Sequence, residues 1–185
     1  MNTQIQLIVN DDISVRHIAL HDAEDIFNII NAQREYLGKW LPFVRFTQEL
    51  KHSQNFIKSI FACPEGYREL VFVVLYQDKL VGLIGFRDTD HGNNKTEIGY
   101  WLSEPMQKKG IMSQSVKRIV DYAFEELGMN RVQITCAIGN IPSKNIPKRL
   151  GFVYEGIERE GELYADGSYM DIEVYSLLRK DWMRN

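Results

Sequence analysis

Seven segments of the chain are short apolar runs or alternate apolar with polar residues, and each predicts a β-strand. Successive side chains of a strand point to opposite faces, so these patterns are typical of buried or half-buried strands. The predicted strands are residues 13–19, 70–76, 80–87, 95–102, 131–137, 152–159 and 171–178.

Four further segments predict helices, mainly because their apolar residues recur three or four positions apart. These segments are residues 22–36, 47–62, 110–127 and 142–150. We expect Thr47 to cap the second helix and Gly128 to end the third. The resulting order, β-α-α-β-β-β-α-β-α-β-β, indicates an α/β (α+β) fold with a central mixed sheet and helices on both faces.

Composition narrows the class of protein. The 185 residues, with 44% hydrophobic and 25% charged side chains, predict a single globular domain over residues 1–185 rather than a disordered or coiled-coil chain. The net charge of −3 gives no reason to expect direct binding to nucleic acid or to a membrane. Residues 1–12 are polar and acidic rather than a signal peptide, so we expect a cytoplasmic protein. Its two cysteines, Cys63 and Cys136, are expected to be buried and reduced.

A polar turn, Gln107-Lys108-Lys109-Gly110, immediately precedes the third predicted helix. The first amides of a helix lack internal partners and carry partial positive charge, and glycine lets an anion approach the backbone. The turn therefore suggests a cradle for a diphosphate, although a solvated basic turn before an ordinary helix is an equally good interpretation. The chain has neither the P-loop nor the dinucleotide-binding fingerprint at this place.

Several separated motifs resemble one family. Gln107-Lys-Lys-Gly110-Ile-Met112 resembles the Gln/Arg-x-x-Gly-x-Gly/Ala signature of the GNAT acetyltransferases, with Met112 as a variation within one branch. Asn140-Ile-Pro-Ser143-Lys-Asn145 and Lys148-Arg-Leu-Gly-Phe152 resemble motifs of the RimJ/RimL branch, which acetylates the N-termini of ribosomal proteins. The resemblance extends over almost the whole chain.

The resemblance implies a mostly antiparallel sheet of about seven strands, splayed between the fourth and fifth, with acetyl-CoA in the gap. It implies no metal. By the same resemblance the cofactor-binding residues are expected to be Trp101, Leu102, Ser103, Gln107, Lys108, Lys109, Gly110, Ile111, Met112, Ser113, Asn140, Ser143 and Asn145. The strand-end backbone of residues 101–103 would pair with the pantetheine, and the amides of residues 108–113 would hold the diphosphate.

Three residues are candidates for catalysis of acetyl transfer to an amine. By the resemblance, Glu97 and Glu162 occupy positions where relatives carry a general base. Glu97 could instead be a surface carboxylate paired with Lys95, and Glu162 a charge at a loop tip. Ser143 is a candidate acid for the departing thiolate, or only the cap of the short helix. Arg87 is interpreted as an ordinary charge on a strand face.

These observations predict an acetyl-CoA-dependent N-acetyltransferase that acts by direct attack in a ternary complex. The expected acceptor is the α-amine of a protein N-terminus, with a ribosomal protein as the candidate substrate. A polyamine or other small amine is the alternative acceptor, and a non-catalytic acyl-CoA-binding module or a nucleotide-binding domain are the alternative classes. The chain is expected to be a monomer or a homodimer.

Overall fold

The structure is a computed structural model that describes residues 5–64, 69–164 and 166–183. The strands of this part of the chain are β1 (Gln6–Ile8), β2 (Ile13–His17), β3 (Val71–Tyr76), β4 (Lys79–Asp90), β5 (Lys95–Leu102), β6 (Arg131–Ala137), β7 (Val153–Leu163) and β8 (Tyr169–Leu178). The helices are α1 (Ala23–Ala32), α2 (Arg34–Gly38), α3 (Leu50–Ala62), α4 (Ile111–Glu125), α5 (Ile141–Arg149) and α6 (Arg179–Trp182). The first four residues of the predicted polar N-terminal segment lie outside the described ranges.

The strand order is β1-β2-β3-β4-β5-β6-β8-β7, so the predicted mixed sheet with helices is confirmed. The described part of the chain has eight strands in the sheet, one more than the expected seven, because residues 6–8 form the additional strand β1. Its three residues are too few to show an alternating pattern in the sequence. They are held by antiparallel pairing with β2, in which Leu7 lies opposite Val15.

The chain forms two compact units, residues 1–85 with 100–115 and residues 86–99 with 116–185. In the first unit, β1, β2, β3 and the start of β4 pair in antiparallel fashion. Gln77 and Asp78 join β3 to β4 with φ of 50° and 62°, the left-handed conformation that a two-residue hairpin turn requires. The core of this unit consists of Ile18, Ala23, Ile26, Ile30, Leu37, Val44, Ile57, Ile60, Val73, Leu83 and Trp101.

Two helix predictions in the first unit need correction. The single helix expected over residues 22–36 is interrupted at Gln33, which has φ −129° and ψ 32° and separates α1 from α2. Thr47 does not cap α3, because its hydroxyl donates to the Phe43 carbonyl at 3.1 Å. The helix begins instead after Glu49, whose amide donates to His52 Nδ1 at 3.1 Å.

In the second unit, β5 and β6 are parallel, and β6, β8 and β7 are antiparallel. Within this unit the β5–β6 ladder joins three residue pairs, from Lys95 opposite Arg131 to Glu97 opposite Gln133. The last two strands are longer than predicted, and β7 includes Glu162, which lies opposite Met170. The expectation that Glu162 is at a loop tip is therefore wrong, because the polar segment around it pairs with β8.

The register assigns side chains of the second unit to the two faces of the sheet. Glu97 pairs with Gln133, Thr135 is two residues further along β6, and Thr135 lies opposite Val174. Glu162 lies opposite Met170, four residues from Val174, so Glu97, Thr135 and Glu162 share one face. Cys136 and Glu173 belong to the other face.

The helices of the second unit cover buried apolar side chains. The part of α4 within this unit buries Val116, Ile119, Val120, Ala123 and Phe124. Gly128 follows α4 with φ +67°, in agreement with its expected role at the end of this helix. α5 lies against β6, β7 and β8.

The two cysteines differ in their surroundings. Cys136 is buried on β6, as expected, but Cys63 is exposed just after α3, where the helix has ended and no core element covers it. Burial raises the pKa of the Cys136 thiol to about 12, so this thiol stays protonated. Among the described residues, no helix has both the length and the apolar character needed to cross a bilayer.

Candidate functional site

The turn before α4 has the backbone geometry of an anion site. Lys108 and Gly110 both adopt left-handed φ, 62° and 75°, and the first helical hydrogen bond runs from the Gln114 amide to the Gly110 carbonyl at 3.0 Å. The amides at the start of α4 therefore have no carbonyl acceptor within the helix. Gly110 is exposed, and so are the two lysines beside it. A concave run of amides of this kind fits a diphosphate.

Side chains of the first unit fix this turn in place. Gln107 donates from Nε2 to the hydroxyl of Tyr36, at the end of α2. Burial raises the pKa of Tyr36, and the charge of Glu104 raises it further, so the phenol remains a neutral hydrogen-bond partner. The Lys109 ammonium lies 5.6 Å from the centre of the Tyr76 ring. Gln107 and Lys109 thus have contacts within the fold, whereas Gly110 leaves the backbone open.

The end of β5 is held by Gln33, the residue that interrupts the first predicted helix. Gln33 Nε2 donates to Ser103 Oγ and Gln33 Oε1 accepts from the Glu104 amide, both at 2.8 Å. The Ser103 amide donates to the Val81 carbonyl at 2.8 Å, and its own carbonyl accepts from Met106 at 3.0 Å. The expectation that the Ser103 amide pairs with pantetheine is therefore wrong, because this amide is already bonded within the fold.

The start of α5 is organised by Asn140 rather than by Ser143. Asn140 is the N-cap, and its Oδ1 accepts from the Ser143 amide at 3.3 Å. The alternative that Ser143 caps this helix is wrong, because Ser143 already lies inside the first turn. Ser143 is half-buried, and Asn145 is exposed one turn along the same helix.

Glu97 is the most fully bonded carboxylate of the second unit. Its Oε1 accepts from Arg87 Nε at 2.7 Å, from Arg87 Nη2 and from Thr135 Oγ1 at 2.6 Å, and its Oε2 accepts from Gln133 at 3.0 Å. Glu97 is only 7% exposed. The alternative that it is a surface charge paired with Lys95 is wrong, since Lys95 lies 3.8 Å from Asp90 instead.

Glu162 differs from Glu97 in its surroundings. It is half-buried, and among the described residues no donor is hydrogen-bonded to its carboxylate. Burial raises the pKa of Glu162, the positive charge of Arg87 opposes this, and the negative charge of Glu97 adds to it. A carboxylate with a raised pKa and free oxygens is suited to accept a proton near neutral pH.

α5 lies over the opposite face of this sheet. Lys144, next to Ser143, forms an ion pair of 3.2 Å with Glu173, and Glu173 also accepts from the Tyr175 hydroxyl at 2.8 Å. Burial raises the pKa of Glu173, but the bonds from Tyr175 and Lys144 outweigh this effect and hold it below its ordinary value. The structure thus brings Glu97 and Glu162 to one face and does not bring Ser143 to that face.

The contacts of two residues at this site, Arg87 and Gln33, were not predicted from the sequence. Arg87, interpreted as an ordinary strand-face charge, is the partner of Glu97. The signal for it was the turn at 90–94, which makes β4 and β5 neighbours and so brings Arg87 close to Glu97. Gln33 gave no such signal, because its two partners are about seventy positions away in the chain.

Comparison with known proteins identifies the family. Residues 12–153 match the acetyltransferase (GNAT) domain. A putative ribosomal N-acetyltransferase of Bacillus subtilis is 36% identical over 94% of this chain and 95% of its own length. The ribosomal-protein-serine acetyltransferase of Escherichia coli is 25% identical over 91% of this chain and 93% of its own length.

A solved structure supports the same assignment and the cofactor. The microcin C7 self-immunity acetyltransferase, in complex with acetyl-CoA and AMP, superimposes with a TM-score of 0.86 at 28% identity and covers 92% of this chain and 94% of its own. The chain therefore belongs to the GNAT family and is an acetyl-CoA-dependent N-acetyltransferase of the RimJ/RimL branch.

Proposed function

We propose that this enzyme acetylates the α-amine at the N-terminus of a protein, with a ribosomal protein as the substrate, by direct attack in a ternary complex. The names of its relatives from Bacillus subtilis and Escherichia coli support this acceptor. The observation that carries the chemistry is the half-buried Glu162, whose pKa is raised and whose carboxylate, unlike that of Glu97, accepts no hydrogen bond from the described residues.

In this proposal the donor is bound by the residues that the family motifs indicate. The amides of residues 108–113 hold the diphosphate, Gln107 keeps their turn in place, and the backbone of Trp101 and Leu102 pairs with the pantetheine. Asn140 and Asn145 contribute further polar contacts from α5. Left-handed φ at Lys108 and Gly110 supports the diphosphate assignment, since it aims successive amides toward one point.

Glu162 acts as the general base. Bound acetyl-CoA supplies a thioester, which is already activated toward an amine. A peptide α-amine has a pKa of about 7.7–8.0, well below that of lysine, so a carboxylate with a raised pKa suffices to remove its proton. The amine nitrogen forms a bond to the acetyl carbon, the carbon–sulfur bond breaks, and the proton passes to Glu162. Coenzyme A leaves as its thiolate and takes up a proton from water, and Ser143, which α5 carries over the opposite face of the sheet, has no part in this step.

Replacing Glu162 by Gln tests this assignment. We expect the kcat for a peptide N-terminus to fall by about 100-fold or more, because general base catalysis contributes that much. The measurement is thiol release from acetyl-CoA, with mass spectrometry to locate the acetyl group on the peptide. Glu158→Gln is the matched control, because Glu158 lies on the same strand and face but is exposed.

Two results would contradict the proposal. A Glu162→Gln variant with nearly the wild-type rate would remove Glu162 as the base. Binding of acetyl-CoA without thiol release for any peptide or amine would indicate the non-catalytic module instead.

A further inference from the structure

One side of the Arg87 guanidinium is hydrogen-bonded to its neighbours, and the donors on its other side have no acceptor among the described residues. Its Nε and Nη2 donate to Glu97, and Nη2 also donates to Thr135 Oγ1 at 2.9 Å. Among the described residues, no acceptor is hydrogen-bonded to Nη1, and the side chain is 47% exposed. A fixed cation therefore presents free donors at an accessible surface.

The backbone of β5 leaves room for this arrangement. A Cβ added to Gly99 would lie 3.6 Å from Arg87 Cδ and 3.8 Å from Arg87 Nε, so the arginine extends over bare backbone. Because Glu97, Thr135 and Gly99 already fix the side chain, a ligand bound by Nη1 would not have to order it first. Arg87 is thus prepared for binding rather than mobile.

Arg87 also interacts with the proposed base. Glu97 and Glu162 share one face of the sheet, and Arg87 is bonded to Glu97 on that face. The electrostatic interaction between Arg87 and Glu162 is attractive for both groups. A proton acceptor and a hydrogen-bond donor of opposite charge are therefore neighbours on this face.

We propose that Arg87 determines acceptor specificity by donating from Nη1 to the carbonyl oxygen next to the reacting amine. This inference rests on the proposed function. A peptide N-terminus carries an amine and a carbonyl on adjacent atoms, which suits Glu162 and Arg87 together. A simple alkylamine lacks the carbonyl, and a polyamine brings a second cation that Arg87 repels. Glu97 is then a positioning residue, which acts by holding Arg87.

The first test uses the wild-type enzyme and changes only the acceptor. Three acceptors are compared by thiol release at saturating acetyl-CoA: a dipeptide amide, an alkylamine of the same length and spermidine. We expect kcat/KM for the dipeptide amide, calculated per unprotonated amine for every acceptor, to exceed both others by about 10-fold or more, the range for one hydrogen bond to a charged group. Equal or higher kcat/KM for the alkylamine or for spermidine would overturn the inference.

The second test replaces the arginine. Arg87→Gln should lower kcat/KM for the dipeptide amide by at least about 10-fold more than it lowers kcat/KM for the alkylamine. It should also move the acid limb of the pH–rate profile to higher pH, because Arg87 lowers the pKa of Glu162. Since Arg87→Gln leaves Glu97 buried without its cation, the double variant Arg87→Gln/Glu97→Gln is measured in parallel.

Arg179→Gln is the matched control, because Arg179 is an exposed arginine on α6 of the same unit. An equal loss for all three acceptors, or an unmoved acid limb, would show that Arg87 is only structural. Either result would leave the proposed function intact if the peptide is still acetylated at its α-amine. Absence of peptide acetylation by the wild-type enzyme would instead refute the proposed function.

Discussion

At the scale of single residues, two carboxylates on one face have different surroundings that suit different roles. Glu97 accepts hydrogen bonds from Arg87, Thr135 and Gln133, whereas Glu162 keeps its oxygens free among the described residues. Hydrogen bonds to a carboxylate favour its charged form, and desolvation favours its neutral form. Glu97 is therefore suited to hold a cation, and Glu162 is suited to exchange a proton.

A third carboxylate of the second unit links stability to pH. Hydrogen bonds from Arg131 and Ser176 lower the pKa of Glu155 to about 2. A lowered pKa in the folded state adds stability above the unfolded pKa, and this stability is lost as the pH falls toward the folded pKa. The Glu155 side chain is 40% exposed, so solvent weakens the effect.

We therefore expect Glu155→Gln to lower the free energy of unfolding at pH 7 by at most about 1 kcal/mol. The difference from wild type should shrink as the pH is lowered from about 5 to about 3. Urea unfolding at several pH values measures it, with the exposed Glu158→Gln as control. A difference that stays constant over this range would show that the ion pair does not act through the Glu155 charge.

At the scale of elements, a glycine with left-handed φ lies at each end of α4. Gly110 has φ +75°, and a Cβ there would lie 3.2 Å from Gln114 Nε2. Gly128, beyond the end of the same helix, has φ +67° and nothing within 4 Å of an added Cβ. Both glycines relieve the same backbone strain, but only Gly110 belongs to the proposed diphosphate cradle.

Comparing Gly110 with Gly128 separates the effect of backbone strain on stability from the effect of the substitution on acetyl-CoA binding. Gly110→Ala and Gly128→Ala should each destabilise the protein by about 1–2 kcal/mol, the cost of a left-handed L-residue. Gly110→Ala alone should weaken acetyl-CoA binding, which calorimetry measures. Equal acetyl-CoA affinities for the two variants would show that the turn before α4 does not contact the cofactor.

The elements also show where the sequence was informative. The predicted bounds of β5 and β6 match the structure, because their alternation is uninterrupted between clear turns. The break at Gln33 was not predictable, since neither glycine nor proline marks it and its partners Ser103 and Glu104 are distant in sequence. The pairing of Glu162 and Leu163 with β8 was missed because the preceding residues 158–161 hold three charged side chains and a glycine and show no apolar alternation.

At the scale of the whole molecule, the family motifs predicted the GNAT fold and the donor. The candidate residues from Gln107 to Ser113 share one turn and helix start, because a local motif carries them. The arrangement around Glu97 joins β4, β5 and β6, and only the folded sheet shows that Arg87, rather than Lys95, is its partner. Catalytic roles therefore remain proposals where long-range contacts decide them.

The expectation of a single domain over residues 1–185 is also a proposal at this scale. β4, β5 and α4 each contribute residues to both compact units. Neither unit is a continuous stretch of chain, which favours one folding domain over two independent ones.

The proposed mechanism requires that the start of α4 binds the diphosphate of the cofactor. Calorimetry with three ligands tests this most directly: acetyl-CoA, S-acetyl-4′-phosphopantetheine, which keeps the phosphate next to the pantetheine, and S-acetylpantetheine, which has no phosphate. We predict that S-acetylpantetheine binds about 100-fold more weakly than S-acetyl-4′-phosphopantetheine, because several charge-assisted hydrogen bonds to the phosphate are lost. Equal affinities for these two ligands would contradict the account.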